Sequence, residues 1–133
     1  MNDFALDAEV PGGVDAPRVA RGLVQRELYE RVPATVIEDV ALLVTELVAN
    51  GVIHGGARTG SGLRLRLSGG ASALRVEVAD PGAPGGAVAR RAGDLGGGGG
   101  LGLQIVDTIA SRWGVATGPP TTVWFELDQP GLL

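Results

Sequence analysis

Neither cysteine nor lysine occurs anywhere in this 133-residue chain. Without cysteine there is no disulfide framework, no thiolate-bound zinc and no thiol nucleophile. Without lysine, all 11 of its permanently basic side chains are arginine, so a phosphate loop of the form GxxxxGK[ST] cannot exist. A bound nucleotide would need its phosphates held by a metal, backbone amides, a helix N-terminus or arginine. Long apolar runs are missing too, and none approaches the roughly 20 residues that span a bilayer. The start, Met1-Asn2-Asp3-Phe4, has neither a basic nor an apolar leader region. A cytoplasmic protein with no membrane contact is the expectation. The net charge of −4 and the scatter of the arginines argue against direct binding to nucleic acid, which needs clustered cations.

What is present suits one folded domain, 1–133, with a normal apolar fraction of 44%. Phe4 to Val10 alternates and predicts a first strand, ended by Pro11-Gly12-Gly13. Asp15 is placed as an N-cap, with Pro17 in the first turn of a helix running to about Glu30. A second helix is expected from about Ala34 to Ile53, carrying a broad apolar stripe that includes Val36, Val40, Val44 and Leu47. Leu63 to Leu67 and Leu74 to Val78 alternate with period two, and with glycine turns around them they read as a hairpin. Pro81 to Gly100 has no periodicity. Leu101 to Trp113 is read as a third helix, Val115 to Thr117 as a brief strand and Thr121 to Leu127 as the last strand. The order β-α-α-β-β-loop-α-β-β predicts an α/β two-layer sandwich, a mixed but mainly antiparallel sheet with helices on one face.

Three stretches carry chemistry. In Glu46-Leu47-Val48-Ala49-Asn50-Gly51-Val52-Ile53-His54, the polar residues recur every fourth position and share one helix face. The Asn50 carboxamide oxygen is a neutral ligand suited to Mg²⁺ that is otherwise held by water and phosphates. Glu46, one turn earlier, is placed to accept a proton from an attacking hydroxyl. Asp80 ends a strand before Pro81-Gly82, where a backbone can approach a ligand and a carboxylate can accept a hydrogen bond from an exocyclic amine. The run Gly96 to Gly100 opens a helix, a common phosphate cradle. Singly these are weak: Asp-Pro-Gly is usually just a turn, and His54 at a helix end commonly only caps it. Five consecutive glycines satisfy almost any glycine pattern, and the preceding long loop rules out a Rossmann reading. Arg90 and Arg91 read as solvated.

Together, in this order and spacing, they resemble the ATPase fold shared by gyrase, Hsp90, histidine kinases and MutL, the Bergerat-type ATP-binding fold. Within it the chain is most similar to the anti-sigma-factor serine/threonine kinases of the RsbW and SpoIIAB type. Glu46 to His54 matches that family's N-box. Val78 to Gly82 matches its G1 box, and Gly100-Leu101-Gly102-Leu103-Gln104-Ile105-Val106 its G2 box. The tail fits as well, through Ser111 to Gly114 and Thr122 to Leu127. The resemblance implies that Asn50 coordinates Mg²⁺ on the ATP phosphates and that Glu46 is the catalytic base toward a substrate serine. It implies that Asp80 reads the adenine amine, with Gly82 letting the base sit close. Gly100, Leu101 and Gly102 would hold phosphate, residues 81–99 would form a lid, and Thr122 would meet adenine through water. The implied partners are a sigma factor, a STAS-type anti-sigma-factor antagonist bearing the phosphorylated serine, and a second copy in a homodimer.

One residue departs from the pattern: the second glycine of the G1 box is Pro84, which removes an amide donor and fixes φ. A competing expectation follows, a protein-binding module of the same fold that is gated by ATP or uses none. A histidine kinase is disfavoured because no phosphoacceptor histidine precedes the N-box and His54 is the only histidine.

Overall fold

The computed structural model describes residues 4–54, 62–70, 72–80, 101–116 and 121–128, with side chains at all of these except 51–54 and 101–103. Strand β1 is Phe4–Val10, helix α1 Ala16–Leu28 and helix α2 Ala34–His54. They are followed by β2 (Leu63–Gly69), β3 (Ala73–Asp80), α3 (Leu101–Ile109), β4 (Arg112–Ala116) and β5 (Thr121–Asp128). The five strands form one sheet in the order β1-β2-β3-β5-β4. All four ladders among the described residues are antiparallel, in keeping with the mainly antiparallel sheet expected, and none of them is parallel. The last strand enters between β3 and β4, which puts β4 on one edge and β1 on the other.

Period-two alternation decides which face each residue serves. In β2 the leucines Leu63, Leu65 and Leu67 are buried while Arg64, Arg66 and Ser68 are exposed. In β3, Leu74, Val76 and Val78 are buried while Arg75 and Glu77 are half-buried. The inner face packs on the helices and the outer face meets water. The core joins these side chains to Ala20, Val24 and Leu28 of α1, to the stripe of α2 and to Phe125. At about 25 cal/mol per Å² of apolar surface withdrawn from water, this single core dominates the favourable side of folding.

Three local expectations change. Asp15 precedes α1, but its side chain makes no capping bond; it pairs instead with Arg18, one turn on, at 3.6 Å. Helix α1 stops at Leu28, where Arg31 N–H donates to the Leu28 carbonyl at 2.9 Å. Tyr29 (φ −57°, ψ 127°) and Glu30 (φ 65°) occupy the centre of that tight turn, which has the geometry of a type II turn. Helix α3 ends at Ile109 rather than at Trp113, because Arg112 and Trp113 enter the sheet opposite Glu126 and Phe125. Ser111 N–H donates to the Glu126 carbonyl at 2.8 Å, and the Trp113 indole N–H folds back to Asp107 at 2.9 Å.

Candidate functional site

Helix α2 is the spine of the site. Val40, Leu43, Val44, Leu47 and Val48 are buried, which orients the helix rigidly over the sheet and leaves Glu46 and Asn50 half-buried on successive turns. Thr45 between them donates its hydroxyl to the Ala41 carbonyl at 2.7 Å, so it spends its polar group on its own helix. His54 is the last residue of α2; its side chain lies outside the described residues. The expected pairing of a carboxylate and a carboxamide one turn apart is therefore present, on a helix that touches β3 and α3.

Asp80 ends β3 on the inner face, in line with Leu74, Val76 and Val78, and is only 7% exposed. Directly opposite it in the ladder stands Thr121 of β5, 2% exposed. These are the only two buried polar side chains among the described residues. Withdrawing a carboxylate from water costs several kcal/mol unless donors meet it, and neither Asp80 nor Thr121 lacks an interacting group. A packed core would place aliphatic residues here, as it does at every other inner position of β3. The two buried polar groups at this strand end make it a candidate site.

Thr121 was not singled out from the sequence; Thr122 was. The structure places Thr122 opposite Ala79, one position along from the Asp80–Thr121 pair; with Asp80, Arg64, Arg66 and Glu77 it lines a depression of about 310 Å³ at that end of the sheet. The reason is strand parity. Val123 packs on the core, and Phe125 and Leu127 are buried in it, so the odd-numbered residues of β5 face the helices and Thr121 goes with them. The alternation was readable in Thr-Thr-Val-Trp-Phe-Glu-Leu, but the two adjacent threonines hid which one it selects.

Leu101 and Gly102 open α3, and the first amides of a helix have no partner within it, which gives that end its affinity for anions. Val106 is buried, Ile105 and Ile109 pack on the core, and α3 rests against α2. Gly82, Gly100 and the expected lid, 81–99, lie outside the described residues. Among the described residues no three His, Asp or Glu side chains converge to hold a metal. The Asn50 carboxamide oxygen is a donor of the kind that could join phosphate and water ligands around a cation.

The outer face carries a separate electrostatic system. Arg64 donates to Asp7 at 2.6 Å. Arg66 lies 3.6 Å from Asp7 and 3.8 Å from Glu77. Arg75 donates to Glu77 at 2.9 Å and to Glu126 at 2.8 Å. Arg112 bridges Glu126, at 2.9 Å, and Asp128. Hydrogen bonds from Arg112 and then Arg75 hold the Glu126 carboxyl below its ordinary range, and Arg112 does the same to Asp128. Arg75 also stacks 4.4 Å from the Trp124 ring centroid.

The family profile of the histidine kinase-like ATPase domain matches residues 14–126, and the chain belongs to that family. Among solved structures it is similar to the crystal structure of the RsbU and RsbW domains of Rv1364c from Mycobacterium tuberculosis. The match has a TM-score of 0.67 at 18% identity and covers 98% of this chain and 34% of that one. The shared fold is the two-layer arrangement described above, and the chain spans about a third of the length of that relative. A search of curated protein sequences finds no match.

Proposed function

We propose that this chain is an ATP-dependent protein serine/threonine kinase acting as an anti-sigma factor, one that phosphorylates an antagonist protein and sequesters a sigma factor. The observation that carries the reading is the pairing of Glu46 and Asn50 on successive turns of α2, on the same side of the sheet as the buried Asp80–Thr121 pair. Asn50 would hold, through its carboxamide oxygen, the Mg²⁺ that would neutralise charge on the nucleotide phosphates. Glu46 takes the proton of the incoming serine hydroxyl. Asp80 accepts a hydrogen bond from the adenine amine, which guanine cannot offer. Thr121, directly opposite Asp80, supports that contact from the neighbouring strand, with Thr122 beside it in the depression that Asp80 also lines. The amides at Leu101 and Gly102 meet phosphate at the start of α3.

The test combines nucleotide binding with phosphotransfer. Adenine nucleotides with Mg²⁺ should raise the melting temperature and guanine nucleotides should not. Asn50→Ala, Asp80→Ala and Thr121→Val should abolish or reduce the shift. Glu46→Ala should keep the shift and slow phosphoryl transfer to a cognate antagonist by about 10²-fold or more. Transfer at the wild-type rate in Glu46→Ala would remove the assigned base. The Pro84 substitution in the G1 box supports a second reading, a regulatory binding module without transfer. Tight partner binding with no phosphorylated product at saturating Mg-ATP would favour it.

A further inference from the structure

Helix α2 has a solvent-facing stripe, and that stripe leads to Glu46. Thr35, Glu38, Asp39 and Leu42 are exposed, while Glu46 and Asn50 are half-buried. At 3.6 residues per turn, Asp39 stands within about 20° of Glu46 around the helix axis, Leu42 within about 40° and Glu38 within about 80°. One face of α2 therefore carries two carboxylates, then a leucine, then the Glu46–Asn50 pair. The opposite face is spent on the core through Val40, Leu43, Val44, Leu47 and Val48.

The fold makes no use of what this stripe displays. Among the described residues, no ion pair or hydrogen bond engages the Glu38 or Asp39 side chain. Carboxylates elsewhere are answered: Asp15 by Arg18, Glu27 by Arg31, and Asp7, Glu77, Glu126 and Asp128 by the arginines of the sheet. Leu42 is 42% exposed, the one large hydrophobic among the described residues of α2 to face water so fully. A single surface leucine is ordinary. This one lies on a line between unanswered acids and Glu46.

We propose that this stripe of α2 is the docking track for the acceptor segment of the phosphorylated protein, selecting basic and apolar residues on one side of its serine. The inference rests on the reading of Glu46 as the base of a protein kinase. At about 1.5 Å of rise per residue, Leu42 lies about 6 Å along the axis from Glu46, and Asp39 and Glu38 about 10 to 12 Å. An extended chain advances about 3.3 Å per residue. A serine hydroxyl held at Glu46 thus brings the residue two places away over Leu42, and those three and four places away over Asp39 and Glu38. The acceptor accordingly carries an aliphatic side chain at the second place and arginine or lysine at the third and fourth. The transfer itself is that proposed above: the serine oxygen bonds to the γ-phosphorus, ADP leaves and Glu46 takes the proton. Exposed ion pairs are individually weak, so the carboxylates mainly steer and choose the acceptor.

Two labelled peptides serve as probes, Arg-Arg-Leu-Ala-Ser and the reverse order Ser-Ala-Leu-Arg-Arg, each with a counterpart in which both arginines are glutamate. Fluorescence anisotropy in Mg-ADP reads binding, and mass spectrometry in Mg-ATP reads phosphorylation. In one of the two orders the arginine peptide should bind and react about tenfold or more better than its glutamate counterpart. Glu38→Arg with Asp39→Arg should reverse that preference, which also shows that the variant is folded. Leu42→Ala should raise KM several-fold more than it lowers kcat. Binding that follows this pattern without any transfer would uphold the track and refute the kinase reading. Phosphorylation that is indifferent to the double substitution would uphold the kinase reading and overturn the track. A wild-type preference for the glutamate peptides, or binding of none of the four, would overturn the track as well.

Discussion

At the scale of single residues, Glu30 is the clearest local conflict between sequence and structure. Its φ of 65° lies in the left-handed region, which costs a side-chain-bearing residue about 1–2 kcal/mol. The third position of a type II turn ordinarily takes glycine for that reason. Glu30→Gly should therefore stabilise the protein by about 0.5–1 kcal/mol, after subtracting the extra entropy glycine loses on folding. Calorimetry should find the melting temperature up by a few degrees, and an unchanged or lower value would mean the turn is held by something other than its backbone. The residues of the proposed site differ in how legible they were. Asn50 and Glu46 declare themselves by four-residue spacing on a strongly periodic helix, and Asp80 by ending an alternating strand. That Thr121 and not Thr122 shares the buried face with Asp80 was hidden, because two adjacent threonines leave the parity ambiguous until Val123, Phe125 and Leu127 are seen to face the core.

At the scale of elements, strands β1 to β3 and helix α2 follow their periodicities closely, because each carries one uninterrupted pattern. The junction of α3 and β4 does not. Val106, Ile109, Ala110 and Trp113 fall on one helical face, so periodicity alone extends the helix to Trp113. What stops it is tertiary: Arg112 is claimed by Glu126 and Asp128 on β5, and Trp113 pairs with Phe125. No local window contains those partners. Strand β4 is also an edge strand with glycine at its centre, a weak combination. The Trp124 indole lies against Gly114, its cross-strand partner, so closely that a Cβ there would stand 2.9 Å from the ring. Arg75 stacks on the same indole. Gly114→Val should displace the ring, cost about 1–3 kcal/mol as other overpacking does, and shift tryptophan fluorescence toward the solvent-exposed maximum. A stable variant with unaltered fluorescence would show that Trp124 does not brace the edge.

At the scale of the whole molecule, one sheet divides the labour. Its inner face carries the aliphatic core and, at one end, Asp80 and Thr121; its outer face carries no helix among the described residues and stabilises itself by alternating charge. That division predicts how the protein answers acid. Asp7, Glu126 and Asp128 all have carboxyls held below their ordinary values of 3.8, 4.5 and 3.8, chiefly by hydrogen bonds from Arg64, Arg112 and Arg112 respectively. A carboxyl with a lowered value binds fewer protons folded than unfolded. Its contribution is therefore complete above the ordinary value and is lost as pH falls through the lower, folded one. These pairs are exposed, so each contributes modestly and only the network is measurable. Glu126, shared by Arg75 and Arg112, is the member to test. Glu126→Gln should lower the urea midpoint at pH 7. The gap to wild type should then narrow as pH falls below 4.5 and close once pH has passed the lowered folded value, where the wild-type carboxyl is itself protonated and resembles the amide. A gap that stayed constant down to pH 2.5 would assign the loss to packing around Arg75 and Trp124 instead of to charge.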